Sequence, residues 1–162
     1  VYFTASPLDP EKNSRQSAFL NANTLLHPDK FEVVRGKYIK KTIQCPNCNT
    51  AISRPEEKKT DVNLSVRMMG DCFNDLTDIL VLVSADSDLI PPLDFILHNF
   101  KNNKVTVYFP PSNNSFDINN YMKAHKSSVV RLDANATKFK NSIMPDTVAA
   151  GNKNYTIPDK WK

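Results

Sequence analysis

The clearest feature in the pattern of apolar and polar positions is Ile79-Leu-Val-Leu-Val83, five apolar residues without a break. A continuous run of strand length, rather than an alternating one, predicts a strand buried on both faces of a parallel sheet. It runs into Ser84-Ala-Asp86-Ser87-Asp88. Pro91-Pro92 then open a helix carrying Leu93, Ile96, Leu97 and Phe100, because proline fits a first helical turn where no intrahelical donor is missed. Around this centre the periodicity predicts strands at Val1–Ala5, Phe31–Arg35, Lys104–Phe109 and Ser128–Leu132. It predicts helices at Glu11–Leu26, Asp61–Phe73, Phe116–His125 and Ala136–Ile143. In the helix from Asp61, the residues Val62, Val66, Met69 and Phe73 share one face and are expected to point into the core. Lys37–Ile43 alternates basic and apolar residues and reads as an exposed extended arm, with Arg54–Lys59 a polar connection. From Pro145 onward the periodicity fades, and a tail is expected in which Trp161 docks back. Strands alternating with helices over this length give an α/β domain with a parallel sheet and right-handed crossovers.

Composition changes this picture little. Of 162 residues, 40% are hydrophobic and 23% charged, which is ordinary for one globular domain with a real core. No apolar run approaches bilayer-spanning length, so no membrane partner is expected. Three cysteines do not make a disulfide framework, which points to a reducing cytoplasm. The net charge of +4 is unevenly spread: eight Lys/Arg against three Asp from Tyr121 onward leave residues 1–120 at −1. An acidic site with a basic flank suits a polyanion that must reach a metal, although a solvated basic tail is the commoner explanation.

Where the central strand hands over to its helix, two carboxylates sit at the carboxyl edge of the sheet, where open α/β folds place ligands. On one reading Ser87 or Asp88 caps the helix and Asp86 shapes the turn. On the other, Asp86 and Asp88 share a cleft and hold a hard divalent cation, which relieves their mutual repulsion. Asp61, at a helix N-terminus, is accounted for by the macrodipole alone. Cys45-Pro-Asn-Cys48 has zinc-ligand spacing but is half a site, with no second pair and with His27, His98 and His125 scattered. A tight turn with both sulfurs on one side is expected there, and no structural zinc within one chain. A site shared across a homodimer is the alternative. His98 reads as a helix-surface residue.

Several motifs together resemble the NYN domain, the bacterial branch of the PIN-like nucleases. Ser84-Ala-Asp-Ser-Asp-Leu89 resembles the family's Ser-Gly-Asp-Ser-Asp-Phe turn, and Lys58-x-x-Asp61-Val-Asn resembles its Lys-x-x-Asp-Val-Asn motif. Cys-Pro-x-Cys followed by Arg54-Pro-Glu-Glu-Lys58 is similar to an insert of many bacterial members. Phe109-Pro-Pro with Ser115-Phe116 is similar to the family's fourth-strand loop. The resemblance implies a three-layer Rossmannoid, PIN-like domain with a mostly parallel central sheet over residues 1–148, followed by a tail at 149–162. It also implies a metal-dependent endoribonuclease acting on RNA. Asp61, Asp86 and Asp88 would be the catalytic and metal-binding carboxylates, while Lys58, Ser84 and Ser115 would lie toward the substrate. Oxygen-only ligands suit Mg²⁺ or Mn²⁺, which retain waters and activate one for in-line attack on phosphorus.

Two departures set the alternatives. The family's first strand, with its further carboxylate, would precede Val1, so about 30–50 residues are expected upstream. Arg67 stands where many members carry an acid. These favour a second reading, an inactive PIN-like module that binds RNA or a protein partner. A phosphotransferase with an aspartate nucleophile is a third, opposed by the lack of Asp-x-Asp after the opening strand.

Overall fold

The computed structural model describes residues 1–137 and 140–162, with the backbone of 138 and 139. The elements run β1 (Tyr2–Thr4), α1 (Pro10–Leu26), β2 (Val33–Arg35), β3 (Lys37–Gln44), β4 (Ala51–Lys58) and α2 (Thr60–Phe73). They continue with β5 (Ile79–Val83), α3 (Ile90–Asn99), β6 (Lys104–Phe109), α4 (Phe116–Ala124), β7 (Ser128–Arg131), α5 (Ala136–Lys140), β8 (Thr147–Ala150) and β9 (Lys153–Thr156). This is a mixed α/β fold containing a parallel three-stranded sheet, compatible with a Rossmannoid architecture. No helix among the described residues is long and apolar enough to cross a membrane. The chain divides into two compact units, Val1–Asn63 with Met144–Lys162, and Leu64–Ile143.

In the first unit β1 and β2 pair in parallel. Helix α1 starts where the Asp9 side chain accepts the Lys12 amide at 2.8 Å, with Pro10 in the first turn, and it buries Leu20 and Ala22. The tail predicted from the loss of periodicity instead contains the antiparallel hairpin β8–β9, which packs on α1. Trp161 does dock back, edge-on to Phe19 at 6.3 Å. Arg54–Lys58, expected as a polar connection, is part of strand β4. It pairs with the whole of β3 because Cys45–Thr50 closes a hairpin turn between two strands of equal length. Gly36 opens that hairpin under a tight constraint: a Cβ there would fall within 2.6 Å of the Lys58 carbonyl oxygen. Lys59, just before α2, has φ +76°, a left-handed turn that aims the chain from strand into helix.

In the second unit β5, β6 and β7 form a parallel sheet in that order, with Ile79 opposite Lys104 and Thr106 opposite Ser128. Leu80, Leu82, Val105, Val107 and Phe109 from the strands pack against Leu93 and Ile96 of α3 and Ile118 and Met122 of α4. The continuous apolar run of β5 is nevertheless not buried on both faces. Leu80 and Leu82 are in the core, whereas Ile79, Val81 and Val83 are each more than half exposed. Successive strand residues point to opposite faces, and only one face of β5 meets the core formed by α3 and α4. Helix α2 shows a parallel correction. Its buried residues are Met68 and Cys72, with Leu64 and Met69 packed beside them, while Val62, Val66 and Phe73 are exposed. The helix carries two apolar stripes, and the one without β-branched residues took the core.

Candidate functional site

The β5–α3 connection is built by hydrogen bonds from its own short polar side chains. The Ser84 amide donates to the Tyr108 carbonyl at 3.1 Å, continuing the β5–β6 ladder one residue past the strand. The Ser84 hydroxyl accepts the Asp86 amide at 3.1 Å, and the Asp86 carboxylate accepts the Asp88 amide at 3.0 Å. A single 3-10 turn, Ser87–Leu89, follows, and Leu89 is driven into the core. Neither Ser87 nor Asp88 caps α3, whose first turn has no side-chain cap, and neither is the cap of the short turn before it. Asp86 is the cap, because its extended backbone leaves one carboxylate oxygen over the next amides. Asp86 and Asp88 are both exposed, and among the described residues the Asp88 carboxylate has no hydrogen-bond or ion-pair partner.

Ser115 lies in the loop after β6, at the same carboxyl edge. Its hydroxyl accepts the Ile118 amide at 3.2 Å, so it caps α4 from a buried position. Asp61 is exposed on the first turn of α2, in the first unit. Farther along α2, Arg67 is held by both carboxylate oxygens of Asp71, at 2.7 and 2.9 Å, so its charge is locally balanced. Lys58 ends β4 with its ammonium on Glu56. The Glu56 carboxyl is held below its ordinary range by that hydrogen bond first, and also by Lys41.

The β3–β4 register gives the hairpin a basic face. Lys37 stands opposite Lys58 and Lys41 opposite Arg54, with Ile39 opposite Glu56 between them. Side chains two apart share a face, so four cations surround one carboxylate. Like charges directly across an antiparallel pair are destabilising. Exposed together on the hairpin, these four cations make a surface suited to a polyanion. At its tip the Asn49 amide donates to the Cys45 carbonyl at 2.9 Å, and the Cys48 sulfur lies 3.2 Å from the Thr50 hydroxyl. That contact, with further help from Cys45, draws the Cys48 thiol below its usual range.

One cluster escaped the sequence reading. One carboxylate oxygen of Asp94 and one ring nitrogen each of His98 and His125 lie within 4.8 Å of one another. The signal available was Asp94-x-x-x-His98, since residues four apart on a helix are neighbours. His125 joins them only through the packing of α4 beside α3.

The match of this chain to a family model places it in the PIN-like class of α/β folds. Within that class the chain belongs to the NYN domain family, whose model matches residues 4–139. No curated protein and no solved structure gives a significant match.

Proposed function

We propose that the chain is a metal-dependent endoribonuclease that hydrolyses RNA phosphodiester bonds at the Asp86–Asp88 turn. The observation carrying this reading is the turn itself. It offers two exposed carboxylates at the carboxyl edge of a parallel sheet, one of them engaged only by its own turn and the other unengaged. The donor set fits Mg²⁺ or Mn²⁺. Such hard ions take oxygen ligands and are commonly held by one or two carboxylates together with substrate phosphates. When bound, the ion would neutralise charge on the scissile phosphate and lower the pKa of a bound water.

The chain's own residues set up the rest. Ser84 fixes the exit of β5 through its backbone and its hydroxyl. Asp86 caps the turn from which Asp88 projects. Ser115 anchors α4 at the same edge, which makes it a positioning residue. Lys58, with Lys37, Lys41 and Arg54, supplies a cationic face for the phosphate backbone of RNA. The free thiols of Cys45 and Cys48 at the hairpin tip suit a reducing cytoplasm.

A second reading is favoured by the capping bond of Asp86, which gives that carboxylate a structural role without any metal. On it the chain is a PIN-like module that binds RNA through the hairpin and does not cleave. Labelled single-stranded RNA incubated with Mn²⁺, Mg²⁺ or EDTA, comparing wild type with Asp88→Asn, separates the two. EDTA-sensitive cleavage lost in Asp88→Asn supports the nuclease. Binding without cleavage under every metal condition supports the module.

A further inference from the structure

We propose that Asp94, His98 and His125 form a second metal site, for one borderline transition ion of the zinc class, which fastens the C-terminal end of α3 to that of α4. The inference is independent of the nuclease reading. Asp88 lies in the turn before α3 and His98 in the last turn of that helix, whose ten residues span about 15 Å.

The tautomers of the two imidazoles follow from their hydrogen bonds. Nδ1 of His98 faces the Asp94 carbonyl at 2.9 Å, and Nδ1 of His125 faces the Tyr121 carbonyl at 2.9 Å. A carbonyl oxygen can only accept, so each Nδ1 is the donor in these contacts, and in its neutral form each ring would keep its Nε2 lone pair for a metal; the His98 Nδ1 also lies 3.3 Å from the Asp94 carboxylate. A backbone carbonyl on the far ring nitrogen is the usual support of a metal-binding histidine, because it fixes the tautomer and orients the ring. The carboxylate is supported too: the Tyr121 hydroxyl donates to Asp94 at 2.6 Å. Tyr121 thus serves two of the three ligands, Asp94 through its hydroxyl and His125 through its carbonyl, and its ring stacks on His125 at 4.2 Å.

Electrostatics and donor chemistry agree with this arrangement. His98 lies in the last turn of α3, and His125 is the residue that ends α4. The partial negative charge at helix C-termini favours a cation there. Two imidazoles and one carboxylate are the donors of open zinc sites and of related non-haem metals, and a poor set for Mg²⁺. The three ligands leave coordination positions for solvent. His125 also borders a groove of about 620 Å³ lined by Lys101, Lys104 and Lys126.

The test uses Co²⁺ as a spectroscopic probe and Zn²⁺ as competitor, in excess Mg²⁺, on a chain carrying Cys45→Ser and Cys48→Ser so that the thiols contribute nothing. The expected result is one saturable Co²⁺ per chain with visible ligand-field bands, displaced by Zn²⁺, and a melting temperature that rises with Zn²⁺. His98→Gln and His125→Gln should each weaken binding about tenfold or more and abolish the thermal shift. Both should keep the far-UV spectrum of the parent in EDTA and any Mn²⁺-dependent cleavage. Asp88→Asn should keep the Co²⁺ site. Absence of saturable binding in the parent, or unchanged affinity in both histidine variants, overturns the proposal. Loss of cleavage in Asp88→Asn bears on the nuclease reading alone.

Discussion

Asp86 carries a structural and a proposed chemical role at once, and two substitutions separate them. Asp86→Asn keeps an oxygen that accepts the Asp88 amide but removes the charge. Asp86→Ala removes both. The hydrogen bond at 3.0 Å is an exposed cap, and such caps contribute about 1 kcal/mol when replaced by alanine. In urea unfolding, Asp86→Asn should therefore lie within about 0.5 kcal/mol of wild type, because asparagine caps as well as aspartate, and Asp86→Ala about 1 kcal/mol below it. Cleavage should divide differently. A carboxylate that holds a catalytic cation supports several kcal/mol of transition-state stabilisation, so both variants should lose on the order of 10²-fold or more in Mn²⁺-dependent turnover. The assay is initial-rate cleavage of a labelled single strand at saturating Mn²⁺, alongside the unfolding curves. An Asp86→Asn protein that cuts at the wild-type rate would refute the ligand role and leave Asp86 as a cap only.

Ile96→Ala, in the fully buried centre of α3, should cost about 2–5 kcal/mol in the same unfolding assay without altering the order of the other variants. Ser115→Ala should cost about 1–2 kcal/mol, since it leaves the buried Ile118 amide without its cap, and Ser115→Asp should restore part of this. Asp9 has its carboxyl held below the ordinary range, chiefly by the Lys12 amide. The folded state thus favours the charged form, so this contribution is full above the unfolded pKa of about 3.9 and is lost as pH falls through the lower folded value. The stability gap between wild type and Asp9→Ala should accordingly narrow as pH is lowered through that window. On the hairpin, Lys41→Thr removes one of two facing cations. It should leave stability unchanged or slightly higher, yet reduce the salt dependence of RNA binding by about 0.7 in the log–log slope if one phosphate contact is lost.

How much of this could be read in the chain depended on how local the determining physics is. The β5–turn–α3 order was legible because apolar run, polar turn and proline pair each act within a few residues. Ser115 as the α4 cap was legible for the same reason. The burial of β5 and α2 was not. A run such as Ile79–Val83 records that five residues tolerate burial, and Val62, Val66 and Phe73 form as good a stripe as Leu64, Met68 and Cys72. Which face meets the core is decided by packing partners distant in sequence. β4 was missed because Arg54-Pro-Glu-Glu-Lys58 has poor strand propensity, and pairing with β3 overrides it. The Asp94–His98–His125 cluster has a local half, visible as a four-residue spacing, and a half that exists only through tertiary contact. The acidic turn itself was found through the resemblance; charge and periodicity alone could not separate a cap from a ligand.

The outer face of β5 has a consequence for the chain's behaviour in solution. Among the described residues β5 is the terminal strand of its sheet, with β6 on one side and no partner strand on the other. It presents Ile79, Val81 and Val83 to solvent, and no charged, proline or bulged residue interrupts it. Natural sheets usually protect such an edge with lysine, proline or a bulge, because its unmade backbone hydrogen bonds template another strand. An uncharged segment of high β-propensity at an open edge is also the composition that nucleates cross-β stacking. A single outward lysine at position 81 would act as a gatekeeper, raising the concentration at which the chain stays monomeric while leaving the acidic turn three residues beyond the strand untouched.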